Sequence, residues 1–138
     1  HWKPVDILVE EFMETDVFTV HPDDVIELVI DMMDWSRIRY VPVEDEKGKM
    51  VGLVTARLLL RYLRKNIKKV DTTKINIEEI MIREPIVVKP DDKISVAIDL
   101  MDKNQIGCLP VIKNNELVGI VTEAEFFRLS KRLFDRMR

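Results

Sequence analysis

The sequence predicts an α/β (α+β) protein built from one small unit written twice. Three observations carry that expectation. A block of residues recurs 68 positions on, so that Pro22-Asp23-Asp24 returns as Pro90-Asp91-Asp92. Within each copy, short β-prone apolar runs alternate with stripes of helical period. The turn-forming residues fall at matching places in both copies, two of the four glycines and four of the six prolines among them.

The repeat can be followed residue by residue. Met13 meets Met81, Ile26 meets Ile94, Ile30 meets Ile98, Asp31 meets Asp99, Met33 meets Met101, Ile38 meets Ile106, and Pro42-Val43 meets Pro110-Val111. Beyond them Val51-Gly52 meets Val118-Gly119 and Thr55 meets Thr122, now 67 residues apart. One residue is lost between the prolines and the glycines, in the polar segments Glu44 to Lys49 and Lys113 to Glu116. Length changes in such turns cost little.

Each copy opens with a β-prone run, Val17 to Val20 or Ile86 to Val88. The run is stopped by a proline, which has no ladder donor. The Asp pair behind the proline offers N-cap chemistry. The next helix carries Ile26, Val29, Ile30 and Met33, or Ile94, Ala97, Ile98 and Met101, at i, i+3, i+4, i+7. Two strands then flank a polar turn: Tyr40 to Val43 with Met50 to Val54, and Cys108 to Ile112 with Leu117 to Val121. Gly48 and Asn114-Asn115 provide hairpin chemistry. A second helix opens at Thr55 or Thr122. It runs through Leu58, Leu59, Tyr62 and Leu63, or through Phe126, Phe127, Leu129 and Leu133. The unit is β-α-β-β-α with a helical lead-in at Ile7 to Met13 or Ile77 to Met81. Either copy alone is small for an independent core, so the two are expected to pack through their sheets with pseudo-twofold symmetry. The boundaries are 5–70 for the first repeat, 71–76 for the linker, 77–133 for the second repeat and 134–138 for the end of a basic C-terminal helix.

Composition removes several function classes. The 138 residues are 46% hydrophobic, enough to fill a core. A net charge of −3 does not favour wrapping nucleic acid. No apolar run approaches the ~20 residues that span a bilayer. The single cysteine, Cys108, excludes an internal disulfide and a Cys-rich zinc site and fits a reducing, cytoplasmic setting. No phosphate loop, His-Glu-x-x-His or Gly-x-Ser-x-Gly motif occurs. With His1 and His21 the only histidines, an enzyme is not expected. The chain starts at His1 without a leader pattern, which fits a piece of a longer protein or a trimmed tag.

Met, an apolar strand, Pro-Asp-Asp, a Met-bearing helix, Ile-x-x-apolar-Pro-Val, a turn, apolar-Val-Gly-apolar-Val-Thr and a helix occur in that order, twice. This pattern resembles the CBS domain, and the pair resembles a Bateman module. The resemblance implies a regulatory module, attached to an enzyme, transporter or channel, that binds an adenosine-containing ligand between the repeats. AMP, ADP, ATP and S-adenosylmethionine are the ligands it implies, none of them obligatory. It also implies a homodimer of pairs and a fused or associated effector domain.

The same resemblance places ligand residues. Family members read Thr-x-Arg-Asp after the glycine, and the Asp receives ribose hydroxyls, which suits an acceptor-only carboxylate. Here the first copy reads Thr55-Ala56-Arg57-Leu58 and the second Thr122-Glu123-Ala124-Glu125. The main site is then Thr122 and Glu125 with Phe18, Thr19, Val20, His21 and Arg39. The weaker second site is Thr55 and Arg57 with Val88 and Lys89. Leu58 cannot accept a hydrogen bond. Loss of a charge-assisted bond, roughly 1.5–3 kcal/mol, makes that site about ten- to a hundredfold weaker.

Other readings of these residues stay open. Thr122-x-x-Glu125 is also a capping box. Thr55 is an N-cap whatever else it does. Arg39, Arg57, His21 and Lys89 fit plain solvated charges. Cys108 and the four repeated methionines fit core packing, and Trp35 fits a partly buried packing residue or a dimer contact. Phe126, Phe127, Leu133, Phe134 and Met137 alternate with Arg128, Lys131, Arg132, Arg136 and Arg138 in an amphipathic basic helix. It can pack on the module or its dimer mate, the favoured reading in an otherwise acidic chain, or lie on a partner, an anionic membrane surface or RNA. A dimerisation module with degenerate, non-binding sites is the alternative function.

Overall fold

The computed structural model describes residues 7–68 and 70–137. The start of the first repeat at Val5, the first residue His1 and the terminal Arg138 lie outside them. Four helices and four strands form two compact units. The first unit is Phe18–Pro85; the second joins 7–17 to 86–137.

In the first unit, α1 (Ile26–Ser36) precedes an antiparallel hairpin of β1 (Tyr40–Glu44) and β2 (Met50–Thr55), and α2 (Ala56–Lys65) completes the order. In the second, α3 (Ile94–Asn104), β3 (Cys108–Lys113), β4 (Glu116–Thr122) and α4 (Glu123–Arg136) repeat it. The hairpins have the expected registers. Val43 faces Gly52 and Val111 faces Gly119, with a bulge just after each valine. The lost residue lies in the turns. Asn114 and Asn115 take φ of 54° and 65°, the two-residue primed turn that matches strand twist. Around the longer first turn, the Asp45 carboxylate accepts the Lys47 and Lys49 N–H groups at 2.9 Å, and Gly48 supplies a φ of 79°.

The runs before the prolines form less strand than expected. Each makes one parallel bridge, Val20 to Val43 or Val88 to Val111. Val20 N–H donates to the Pro42 carbonyl at 3.1 Å and its own carbonyl accepts from Glu44 at 2.9 Å. The proline two residues later ends the pairing.

The Asp pairs do not cap α1 and α3. Those helices start at Val25 and Lys93 without a side-chain cap. Instead, Asp24 and Asp92 accept the N–H groups of His21 and Lys89 at 2.8 Å and close the turn itself. The helix starts are met by carbonyls: Ile26 N–H donates to Ile75 and Ile94 N–H to Ile7, at 2.9 and 2.8 Å. The connector takes part, since Thr72 accepts from Glu27 at 3.1 Å. Beside it Thr73 donates to Asp71 and holds that carboxyl below its usual pKa.

The carbonyls of the Pro-Asp-Asp turns define the units. Asp24 and Pro22 accept from Ile77 and Glu78, the start of the 3-10 turn Ile77–Glu79. Asp92 and Pro90 accept in the same way from Val9 and Glu10, in the turn Val9–Glu11. The lead-in of each repeat is therefore built into the unit formed by the strands and helices of the other. Reciprocal backbone bonds finish the attachment, Ile82 with Leu53 and Glu14 with Ile120.

That exchange explains the paired glycines and methionines. A Cβ on Gly119 would lie 2.6 Å from the Met13 sulfur and 3.0 Å from the Glu14 carbonyl. A Cβ on Gly52 would lie 2.5 Å from the Met81 sulfur and 3.0 Å from the Ile82 carbonyl. Each methionine crosses its strand where a side chain is missing.

Each unit has its own core. Ile26, Val29, Val41, Val43, Val54, Leu59 and Ile77 fill the first; Val9, Ile94, Ala97, Leu109, Val111, Val121 and Leu129 fill the second. Met81 and Met101 are buried, and Met13 and Met33 pack on the cores from the edge, as expected. Three apolar residues expected to pack do not. Trp35 is 81% exposed, Phe127 76% exposed, and Ile98 also lies at the surface. Trp35 and Phe127 belong to outward helix arcs, and the stripe of α3 is satisfied without Ile98.

Candidate functional site

Each hairpin hands its last strand directly to a helix that opens on threonine. In the first unit, the Thr55 side chain accepts the Leu58 N–H at 3.0 Å, so Thr55 is the N-cap of α2. The adjacent Ala56 N–H donates to the Arg39 carbonyl at 2.8 Å, which brings the loop between α1 and β1 against the helix start. The Leu58 side chain turns inward and packs on the core. Arg39 and Arg57 are exposed, and neither pairs with a carboxylate among the described residues.

At the equivalent place in the second unit, Thr122 Oγ1 accepts from Ala124 at 3.3 Å and donates to Glu125 Oε2 at 2.8 Å. The same carboxylate oxygen lies 3.4 Å from Arg128 Nη2. Glu125 is 3% exposed and is the buried charged residue of the described core. The capping box is not formed: in it the glutamate would reach back to the threonine N–H, whereas here the carboxylate takes the hydroxyl. Its place in the first turn of α4 sets the carboxylate against the helix N-terminus, the end that attracts negative charge. Cys108, buried as expected, feels both effects: desolvation first, then the Glu125 charge, push its thiol far above the ordinary range.

The remaining expected ligand residues lie on the bridging segments. Val20 and Val88 are buried on β1 and β3. Phe18, His21 and Lys89 are exposed, and Thr19 is half-buried. His21 Nδ1 is 3.0 Å from the Glu44 carbonyl. The first unit thus contains Phe18, Thr19, Val20, His21, Arg39, Thr55 and Arg57, and the second Val88, Lys89, Thr122 and Glu125. Two grooves stand out, the second of them bordered by His21. One of about 600 Å3 lies between α3 and α4, lined by Met101, Phe126, Leu129 and Leu133; one of about 450 Å3 is lined by His21, Asp23, Asp24, Asp45, Glu46 and Glu78. Sequence reasoning missed both: it singles out His21, Asp23 and Asp24, in the wall of the second, as a turn and a ligand segment, and spacing does not show that they border a groove. Among the described residues no cluster of metal-ligating side chains occurs. No helix of these residues is long and apolar enough to cross a membrane.

The CBS-domain family model matches residues 9–65 and again 77–132. The chain belongs to the CBS-domain family. Solved structures agree in fold. The protein AcuB from Vibrio cholerae superposes with a TM-score of 0.89 at 27% identity, covering 96% of this chain and 97% of that one. The CBS-domain pair of protein MJ0100, solved in complex with 5′-methylthioadenosine and S-adenosyl-L-methionine, gives 0.80 at 29% identity over 91% of this chain and 96% of that one. Among curated proteins, the inosine-5′-monophosphate dehydrogenase of Methanocaldococcus jannaschii is 28% identical over 88% of this chain but 23% of its own length. A homoserine O-acetyltransferase of Methanosarcina acetivorans is 36% identical over 84% of this chain and 20% of its own. This CBS pair thus spans less than a quarter of either enzyme.

Proposed function

We propose that this CBS pair is a regulatory module that holds an adenosine-containing ligand at its threonine-led helix starts and signals its occupancy to a fused or partner domain. The reading is carried by the likeness to the MJ0100 pair, whose crystals contain two adenosyl compounds. Glu125 supports it: a carboxylate set at a helix start is an acceptor for a ribose diol. A ligand acts on the partner domain only by preferring one arrangement of the module over another. The decisive measurement is a thermal-shift series with 5′-methylthioadenosine, AMP, ADP, ATP and S-adenosylmethionine. At about 100 times Kd, a bound ligand stabilises by roughly 2.7 kcal/mol. No shift with any of the five sinks the proposal, and a full response in Glu125→Ala sinks the ribose assignment.

A second reading is a homodimer that works without ligand. Leu58 is committed to the core and the Thr55 hydroxyl to a cap, while Leu60 and Ile67 on or just after α2, and Phe127 and Phe134 on α4, are exposed at matching i, i+7 positions. Light scattering that reports a stable dimer, together with a silent thermal-shift series, selects this reading.

A further inference from the structure

The two threonine-led helix starts share a backbone and carry opposite charge. In the first unit Arg37 and Arg39 stand in the loop whose Arg39 carbonyl bonds to the start of α2, Arg57 lies in the first turn behind Thr55, and that turn has no acidic residue. Their counterparts in the second unit are Gln105, Gly107 and Ala124, none of them charged, and the first turn of α4 carries Glu123 and Glu125. The positions correspond in structure as well as in sequence. Arg37 and Gln105 both close their helices in the left-handed region, at φ of 54° and 52°. Tyr40 pairs with Thr55 as Cys108 pairs with Thr122. Arg128, which touches Glu125, has a cationic counterpart in Arg61 and does not distinguish the ends. Arg39, grouped with Glu125 by the family pattern, is tied by its backbone to the Thr55 end.

From this we infer that the two ends select ligands by charge: a phosphorylated, anionic nucleoside at Thr55 and a cationic sulfonium nucleoside at Thr122. The inference rests on the ligand-binding reading above and names the ligand class at each end. Two unit charges a few ångströms apart interact several times more strongly near a protein surface than in bulk water. Glu125, almost wholly buried, is shielded least by solvent. Discrimination then comes as much from repulsion of the wrong ligand as from attraction of the right one. A phosphate would meet Glu123 and Glu125 at the Thr122 end, and a sulfonium would meet three arginines at the Thr55 end.

The test is calorimetric titration of the full chain with three probes that share the adenosine group: AMP as anion, S-adenosylmethionine as cation and 5′-methylthioadenosine as the uncharged reference. Exposed Arg39 and Arg57 can be changed without touching the core. The double change Arg39→Gln with Arg57→Gln should weaken AMP at least tenfold and remove most of the salt dependence of its binding, leaving methylthioadenosine within twofold. Glu125→Gln, which still accepts the Thr122 hydroxyl, should weaken S-adenosylmethionine at least tenfold more than it weakens methylthioadenosine, which shares the ribose but not the charge. Unchanged AMP affinity in the double variant overturns the inference. So does a Glu125→Gln variant that loses both adenosyl probes equally, which would make Glu125 a ribose acceptor with no role in charge selection. If none of the three probes binds the unaltered protein, the ligand-binding reading itself falls.

Discussion

Thr55 and Thr122 start helices at the same point of the same fold, yet the first turns behind them differ in kind. Behind Thr55 the third helical residue, Leu58, extends the core. Behind Thr122 the same position is Glu125, withdrawn further from solvent than the half-buried Leu58 but charged, bonded to the threonine hydroxyl and close to Arg128. A backbone that accepts either residue is not what requires the carboxylate. Burying a charge is costly unless it is paired and bonded, so a core position that retains one has a demand on it beyond packing.

The comparison between the units can be broken first in the cores. Leu109 is fully buried where the first unit has Val41. Leu109→Ala should cost about 2–5 kcal/mol, and Val41→Ala less, because fewer buried atoms are removed; chemical denaturation measures both. Equal losses would mean that the two cores do not differ as their side chains indicate. Next in size is the methionine crossing. Gly119→Val and Gly52→Val should each cost about 1–3 kcal/mol by overpacking. Part of that loss should be regained when the facing Met13 or Met81 is shortened to Ala; no recovery would show that the neighbouring carbonyls carry the clash.

The caps sharpen the contrast further. Thr55→Ala removes an ordinary N-cap, about 1 kcal/mol. Thr122→Ala also strips the hydroxyl from a buried carboxylate and should cost about 2 kcal/mol. Equal effects would place Glu125 outside the energetics of the helix start. The smallest effect near neutrality is the thiol. Burial and Glu125 raise the Cys108 pKa in the folded state, so its contribution is complete below the unfolded thiol value of about 8.5. It is lost as pH rises beyond that value, by at most about 1.4 kcal/mol per unit. Cys108→Val should flatten the alkaline slope of stability relative to the parent.

Hairpins, helices and cores are legible because each is written twice and each rests on local chemistry: turn residues, period and capping threonines. The exchanged lead-ins are not legible, for a reason the repeat itself creates. Met13 and Met81 stand in equivalent surroundings, so either methionine satisfies either glycine, and the sequence pattern is the same whether a lead-in folds onto its own copy or the other. Asp24 and Asp92 mislead because an aspartate one residue early resembles a cap in place. Trp35 misleads because period alone does not separate an edge of the stripe from its outside. At the site, sequence narrows Glu125 to two roles. Its bond to the Thr122 hydroxyl depends on rotamers that spacing does not encode.

The crossing of the lead-ins changes what counts as a part. A lone copy of the repeat, cut at its own sequence boundaries, carries a strap shaped for an identical body and lacks a second body to wear it. In the paired chain the straps are traded, so neither copy is finished at its own sequence boundaries.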